Sequence, residues 1–412
     1  MTKSPKPHLI NRSWLDEMNL KALLAALNTD GEETRIVGGA VRNALLGEEI
    51  ADIDCATTAI PSKVERLAAA AGFRTVPTGI EHGTVTVLVN AARFEVTTLR
   101  ADVETDGRHA VVAFGRDFAA DAARRDFTIN ALSIDGDGAV HDPLGGYADL
   151  VNRVVRFIGD PETRIREDYL RTLRFFRFFA YYGDGRPDRD ALRAIVRTRD
   201  GLGKLSVERV WMELKKILSA PEPERAILWM RTTEVLTSVL PENWGLDQFH
   251  WLLAAERDQG WERDAMLRLE AMLRPVPENV TTLADRLKFS NEERHRLLDW
   301  VAEVPTARKA AGLSEAAFAK HLYRSNQGGL VDALAHEFAQ RFVKEEAGAK
   351  AIADLILLSR GWHRPVFPVT GDDLIGAGFE PGPKLGIALG RLEDLWIDSG
   401  FTLSKPALLA AL

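Results

Sequence analysis

The chain has 412 residues, 46% of them apolar and 27% charged, an ordinary globular composition long enough for two to four domains. Its single cysteine, Cys55, excludes an internal disulfide and a cysteine-cluster zinc site, and suits a reducing compartment. A net charge of −7 argues against a general nucleic-acid sponge, yet residues 153–177 carry seven arginines against four acids, a local hint of a polyanionic ligand.

The first residues, MTKSPKPHLINRSW, lack the apolar core of a signal peptide, and no apolar run of 18 residues follows, so a cytoplasmic location is expected. From about 34 to 150, strand-type runs (TRIVGG, ADIDCATT, GTVTVLV, RFEVTTLR, ALSID) alternate with the helical patterns AVRNALLG and PSKVERLAAAAG. From about 160 onward helical patterns follow one another, broken at Gly and Pro: RIREDYLRTLRFFRFFAYYG, SVERVWMELKKILSA, PERAILWMRTTEVLTSVL, AAFAKHLYRS, LVDALAHEFAQRFV. The expected fold class is α+β, a small mixed-sheet head followed by a long all-α remainder.

DIDCAT places two carboxylates one residue apart. On a strand, side chains at i and i+2 share a face, so Asp52 and Asp54 are expected to project together, with Ile53 turned into the core. Two acids that close repel unless a cation bridges them, and hard divalent ions with oxygen ligands do so. A bare Asp-x-Asp is as readily a solvated strand end, so the context decides. Fourteen residues upstream, VGGAVRNALLG reads as a strand ending at Val37, a Gly38-Gly39 turn and a helix from about Ala40. Glycines let the backbone approach a phosphate, a helix N-terminus attracts anions, and Arg42 adds a fork suited to phosphate oxygens. A glycine turn alone is more often just a turn. Followed at this distance by an acid pair, it reads as an anion site beside a metal site.

At this point the sequence resembles the class II nucleotidyltransferases of the DNA polymerase β superfamily: bacterial CCA-adding enzymes and their poly(A) polymerase relatives. The matching stretches, in the family's order, are GGAVRNALLG, DIDCAT, RRDFTINALSID, DPLGGYADL and REDYLRTLRFFRF, over about residues 35–180, with a weaker match at 371–389. The resemblance implies a nucleotidyltransferase head (1–152), a helical neck that recognises the base (153–220), a helical body (221–330) and a helical tail that binds tRNA (331–412). It implies that Asp52 and Asp54 are catalytic and hold Mg2+, and that Gly39 and Arg42 hold the triphosphate. Arg125, Asp168, Arg171, Arg174 and Arg177 are implied to bind the nucleotide. Asn43 departs from the family, which usually has Asp after the glycine-motif Arg. Glu95, on a neighbouring strand, is either a third metal carboxylate or an exposed strand acid, and stays outside the expected set.

The spacing of EDYLRTLRFFR predicts one helix on which Asp168, Arg171, Arg174 and Arg177 recur at i, i+3, with Phe175, Phe176, Phe178 and Phe179 mostly in the core. An ordinary salt-bridged amphipathic face is the plainer reading. The chemistry of the sharper one is specific. Cytosine and adenine each present an amino donor beside a ring-nitrogen acceptor, a carboxylate only accepts and a guanidinium only donates, so Asp168 beside Arg171 complements C and A and opposes G and U. Of the adjacent arginines Arg124 and Arg125, one is expected to pair with Asp126, while Asp142 and Asp149 are expected to be structural. The segment ADVETDGRHAVVAFG, 101–115, reads as a polar loop; in the family a flexible loop here helps the switch from adding C to adding A. The tail motif DDLIGAGFEPGPKLGIAL reads as helix, glycine turn, helix, with Pro381 and Pro383 near the second start. The expected function is template-independent addition of C, C and A to tRNA 3′ ends from CTP and ATP, with no membrane or protein partner. Poly(A) addition and a non-catalytic RNA-binding protein are the alternatives.

Overall fold

A computed structural model describes residues 13–50, 52–80, 83–101 and 113–412. The loop expected at 101–115 therefore lies mostly outside the described residues. The chain forms two compact units, one of residues up to Leu205 with Arg225–Ser238, the other of Ser206–Glu224 with Val239–Leu412.

In the first unit, α1 (Met18–Leu27) leads into β1 (Thr34–Val37), α2 (Gly39–Leu46), β2 (Asp54–Thr57), α3 (Pro61–Ala70), β3 (Arg74–Gly79), β4 (Thr84–Val89) and β5 (Ala92–Thr98). A small pair, β6 (Arg100–Ala101) with β7 (Ala113–Phe114), precedes α4 (Phe118–Ala123), β8 (Ser133–Ile134), β9 (Val140–His141) and α5 (Gly146–Val151). The main sheet has seven strands in the order β3-β4-β5-β2-β1-β8-β9, antiparallel except between β2 and β5. It is the mixed sheet expected. Helices α6 (Pro161–Glu167), α7 (Leu170–Tyr182) and α8 (Arg189–Thr198) follow. No strand follows His141 among the described residues.

Strand register divides this sheet into two chemically distinct faces. Val85, Val96, Cys55, Ile36 and Ile134 are successive partners across five strands, and all are buried. Helices α1 and α3 cover that face. Burial pushes the Cys55 thiol up to about 12, with the Asp54 charge adding to it, so the thiol is inert. One residue along each strand, the register runs Thr86, Glu95, Asp54, Val37, Ser133 and His141. Side chains alternate between faces with period two, so this row, polar except at the buried Val37, lies on the face opposite Cys55 and its partners.

Strand β3 has no counterpart among the expected strands. It carries Pro77 and an irregular register between Val76 and Gly79, which only an edge strand tolerates because the missing N–H faces away from the ladder. The strand expected over ADIDCATT is shorter than the pattern implied: it starts at Asp54, with Asp52 just ahead of it and Ile53 only half-buried. The helix expected over RIREDYLRTLRFFRFFAYYG is two helices. The chain leaves helical geometry at Asp168 (φ −151°, ψ 107°), between α6 and α7.

Among its described residues the second unit is helical. Arg268, 2% exposed, donates from Nε to both Glu256 carboxylate oxygens (3.1 and 3.0 Å) and from Nη2 to Oε2 (2.6 Å). Its Nη1 donates to the carbonyls of Leu218 (2.5 Å) and Ala220 (2.8 Å), closing the end of the helix Val207–Leu218. The last helices pack Tyr323, Val369, Leu374, Leu392, Trp396, Ile397 and Leu408 into a core of their own. The tail motif forms a helix (Gly371–Gly376), a glycine turn and a second helix (Pro383–Asp398) with Pro383 in its first turn, as its sequence suggests. No helix among the described residues is long and apolar enough to cross a membrane.

Removing Arg268 leaves the Glu256 carboxylate buried without its cation. Arg268→Ala is expected to cost about 3–5 kcal/mol. Urea unfolding followed by circular dichroism checks it, and a loss no larger than that of an ordinary surface substitution would contradict the account.

Candidate active site

Gly38 joins β1 to α2 with φ +76°, a conformation L side chains rarely adopt. A Cβ on Gly38 would sit 3.4 Å from Asp54 Oδ2, so the turn and the carboxylate are in direct apposition. The parallel register of β2 and β5 places Asp54 beside Glu95. Partial desolvation of the solvent-open Asp54 carboxyl, then the charges of Glu95 and Asp52, push it above its ordinary range, while Arg125 and Arg42 oppose the rise. The two acids of DIDCAT thus lie within electrostatic reach of one another, and Glu95 joins them. Sequence alone left Glu95 undecided because only strand pairing says which acid stands beside which.

A cleft of about 340 Å³ opens on this face, lined among others by Gly38, Asp54, Glu95, Arg100, Asp121, Arg124 and Arg125. Acids sharing a cleft with arginines and a glycine turn form an oxygen-rich, mixed-charge site. No three His, Cys, Asp or Glu side chains among the described residues form a ready metal cage. The donor set nevertheless fits a hard divalent ion that takes one or two carboxylates and completes its shell with substrate phosphate and water.

Arg42 is 8% exposed and runs through the interior. Its guanidinium lies 5.1 Å from the Phe178 ring and 5.0 Å from the Tyr182 ring, and Nη1 donates to Asn130 Oδ1 at 2.5 Å. Its Nε is a buried donor with no partner among the described residues. Asn43, where the family usually has Asp, donates from Nδ2 to the Glu49 carbonyl at 2.6 Å. A carboxylate could not make that bond.

The RRDFTIN stretch is the hub of the site. Asp126, 7% exposed, accepts from the Phe127 N–H (3.0 Å), Asn130 Nδ2 (2.6 Å) and Arg174 Nε (2.7 Å). Burial alone pushes its carboxyl up, but Arg174, Asn130 and the Phe127 N–H together hold it below the ordinary range. The expectation that Asp126 pairs with a neighbouring arginine is corrected: its partner is Arg174, 48 residues away. Arg124 and Arg125 instead face Asp121, at 3.7 and 3.3 Å, and Arg125 Nη1 donates to the Asn130 carbonyl at 3.2 Å. Phe127 packs against Phe157 (ring centroids 4.9 Å) and Phe178 (5.1 Å), so the same stretch is apolar on its other side. As expected, Phe175, Phe176, Phe178 and Phe179 are buried.

The expected row of one acid and three arginines is broken at its first member. Asp168 precedes α7 and accepts from the Leu170 N–H at 3.0 Å, while Arg171 pairs with Glu167 and donates from Nη1 to the Arg164 carbonyl at 2.8 Å. Arg164, which no motif drew attention to, donates from Nη2 to the carbonyls of Arg124 and Arg125 and so ties α6 to the RRDFTIN stretch. Arg177 lies over the Phe178 ring at 4.6 Å. Asp142 and Asp149 have the structural places expected: Asp142 accepts from the Gly146 and Tyr147 N–H groups, and Asp149 from Thr128 Oγ1 at 2.6 Å. Gly146 sits so close to the Thr128 carbonyl (2.1 Å to an added Cβ) that no other residue fits.

A glycine turn backed by strand carboxylates, with arginines converging from a following motif and helix, defines a nucleotidyltransferase head. The description "Poly A polymerase head domain" matches residues 34–156, and "Probable RNA and SrmB-binding site of polymerase A" matches residues 186–244. The mitochondrial CCA tRNA nucleotidyltransferase 1 of Mus musculus is 37% identical over 395 residues, covering 95% of this chain and 89% of that protein. The CCA-adding enzyme of Levilactobacillus brevis is 34% identical over 396 residues, covering 95% and 96%. Among solved structures, the Bacillus stearothermophilus CCA-adding enzyme in complex with CTP superposes with a TM-score of 0.68 at 26% identity, over 95% of both chains. The chain belongs to the CCA tRNA nucleotidyltransferase family, whose enzymes generally use divalent metal ions.

Asn130 serves both Arg42 and Asp126. Asn130→Ala leaves two buried charged groups short of a partner, and the expected loss of stability is about 1–3 kcal/mol. Chemical denaturation of the full chain reads it, and an unchanged midpoint would show that the bonds carry no net energy.

Proposed function

We propose that this chain adds C, C and A to the 3′ end of tRNA, using CTP and ATP and releasing pyrophosphate. The observation that carries the reading is the register that sets Asp54 beside Glu95 and against the Gly38 turn, within charge reach of Asp52, Arg42 and Arg125. Asp52 and Asp54 are the residues that would hold Mg2+, with Glu95 beside Asp54 on the neighbouring strand. When bound, the metal lowers the pKa of the primer 3′-hydroxyl and offsets charge on the leaving phosphates. Gly38 and Gly39 let the backbone approach the triphosphate at the α2 N-terminus, where the helix dipole favours negative charge. Arg42 brings Nη2 to the same end, 3.8 Å from a Cβ added at Gly39, and the aromatic slot around it keeps the guanidinium from swinging away. Arg125 lines the cleft beside Asp54, and we assign it to the bound nucleotide.

Base choice falls to Asp168, Arg171, Arg174 and Arg177. Asp168 accepts from the base amino group and Arg171 donates to the adjacent ring nitrogen, a pattern that C and A satisfy and that G and U oppose. Arg174 is braced by Asp126. Arg171 commits Nη1 to Glu167 and to the Arg164 carbonyl, so a base either takes another donor of the same guanidinium or displaces these acceptors. The head (1–152), neck (153–220), body (221–330) and tail (331–412) remain the functional division we propose, with tRNA held by body and tail through shape and backbone. A cytoplasmic location belongs to the same proposal.

The test is tRNA lacking its 3′ tail, incubated with CTP alone, ATP alone and both, with products resolved to single nucleotides. We expect two C additions with CTP and completion with one A when ATP is present. Long homopolymer tails from ATP alone would establish poly(A) addition instead. Asp54→Ala is expected to lower transfer by at least about 10²–10³-fold with tRNA binding retained. Chelation of divalent ions should abolish turnover, and activity surviving either treatment would refute the metal assignment.

A further inference from the structure

Four helices of the second unit, Asp247–Gln259, Ala265–Glu270, Asn291–Ala310 and Gln327–Val343, contribute residues to a cavity of about 320 Å³, a volume suited to a small ligand. Three indoles line it, Trp244, Trp251 and Trp300, together with Glu270 and His336. Glu270 (1% exposed), His336 (8%) and Trp300 (3%) are buried, and Glu270 Oε2 lies 3.0 Å from His336 Nε2. Glu270 Oε1, His336 Nδ1 and Trp300 Nε1 have no hydrogen-bond partner among the described residues. Arg296 Nε stands 4.0 Å from Glu270 Oε1, beyond hydrogen-bond reach, and donates to Asp332 instead. Buried polar atoms left unpaired are costly, and three on the lining of one cavity call for a common partner.

Burial, with the Asp332 charge, pushes the Glu270 carboxyl well above its ordinary range, and burial with the Arg296 charge brings His336 down to about 3. Near pH 7 both groups are therefore neutral, and the bond between them has two forms. Where Glu270 donates to Nε2, Oε1 accepts and the Nδ1–H donates; where the Nε2–H donates to Oε2, Oε1–H donates and Nδ1 accepts. Either form offers the cavity one donor and one acceptor, and the Trp300 N–H adds a fixed donor. Trp244 is 66% exposed and anchored through its backbone N–H to the Met272 carbonyl at 2.8 Å, with the Arg274 guanidinium 3.4 Å from its ring centroid. Exposed indole backed by arginine is a stacking platform for a flat heterocycle.

We propose that this cavity is a binding site for an uncharged planar heterocycle of the nucleobase class, stacked on indole and held at its polar edge by Glu270, His336 and Trp300 Nε1. A nucleobase carries ring-nitrogen acceptors beside N–H donors on one flat edge, which is what the three unpaired atoms complement. The base belongs either to a free nucleoside or to an unpaired position of bound RNA, since both present that edge. The site lies wholly within the second unit, and binding there requires no nucleotide transfer.

The experiment uses the full chain as wild type and as Trp300→Phe, Glu270→Met and Glu270→Gln, without divalent ions. Equilibrium dialysis measures binding of radiolabelled adenosine, cytidine, guanosine and uridine, and fluorescence anisotropy measures short single-stranded oligoribonucleotides. Trp300→Phe and Glu270→Met are each expected to weaken the ligand by about 3–10-fold, the scale of one hydrogen bond between neutral groups. Glu270→Gln keeps a donor and an acceptor in the same place and should retain binding. Nucleosides that bind and respond to these variants identify a free base as the occupant; a response seen only with the oligoribonucleotides identifies an unpaired RNA base. If neither ligand binds in a way that Trp300→Phe and Glu270→Met weaken, the proposal is overturned and the cavity is left to water. Should either variant lose its melting transition, Trp251→Ala, which removes a half-buried ring from the same lining, decides in its place.

Discussion

A buried carboxylate and a buried amide sit where three stretches of the first unit meet, and neither can be left without partners. Asp126 takes Arg174 from α7, and Asn130 takes Arg42 from α2, while an amide–carboxylate bond joins the two. The cost of desolvating these groups is recovered only when every bond forms, so the network fixes α2, the RRDFTIN stretch and α7 in one relative geometry. The rings of Phe127, Phe157, Phe175 and Phe178 pack beside it and keep water out, which strengthens each polar bond. The glycine turn, the cleft arginines and the helix carrying Arg171, Arg174 and Arg177 are held together by this junction.

Against that rigid side stands the strained one. Asp54 and Glu95 adjoin on two central strands of the sheet, with Asp52 just ahead of the first, and partial desolvation together with mutual repulsion disfavours the charged form of Asp54. No part of the fold needs three acids there, because the opposite face of the same strands carries the core. In the function we propose, divalent charge arriving with a nucleotide would make the arrangement favourable and so couple metal and substrate binding. Polar strain gathered at one place while the rest of the sheet is satisfied is the usual mark of a site prepared for ligand.

Much of the fold was legible in the sequence. Alternating β-branched residues marked β4 and β5, the double glycine marked the β1–α2 turn, and the aromatic run marked the buried face of α7. Strand β3 was not, because Pro77 and an exposed pattern hide an edge strand from any periodicity. The break at Asp168 was hidden too, because the i, i+3 spacing runs on through it while the backbone does not. Of the site, the acids, the glycines and the arginines were visible as residue types in motifs; Asn130, Asp121 and Arg164 were not, because their importance lies in what they touch.

The sequence by itself determined that an acid pair, a glycine turn and an arginine-rich helix exist in this order, since local pattern and chain chemistry suffice to state that much. Only the tertiary structure decided who meets whom: Glu95 beside Asp54, Arg174 on Asp126 instead of an adjacent arginine, Arg171 on Glu167 instead of Asp168. The physical reason is that a charge takes the partner that burial and register bring within about 3–4 Å, and the strength of that pairing depends on distance and dielectric, with no reference to separation along the chain.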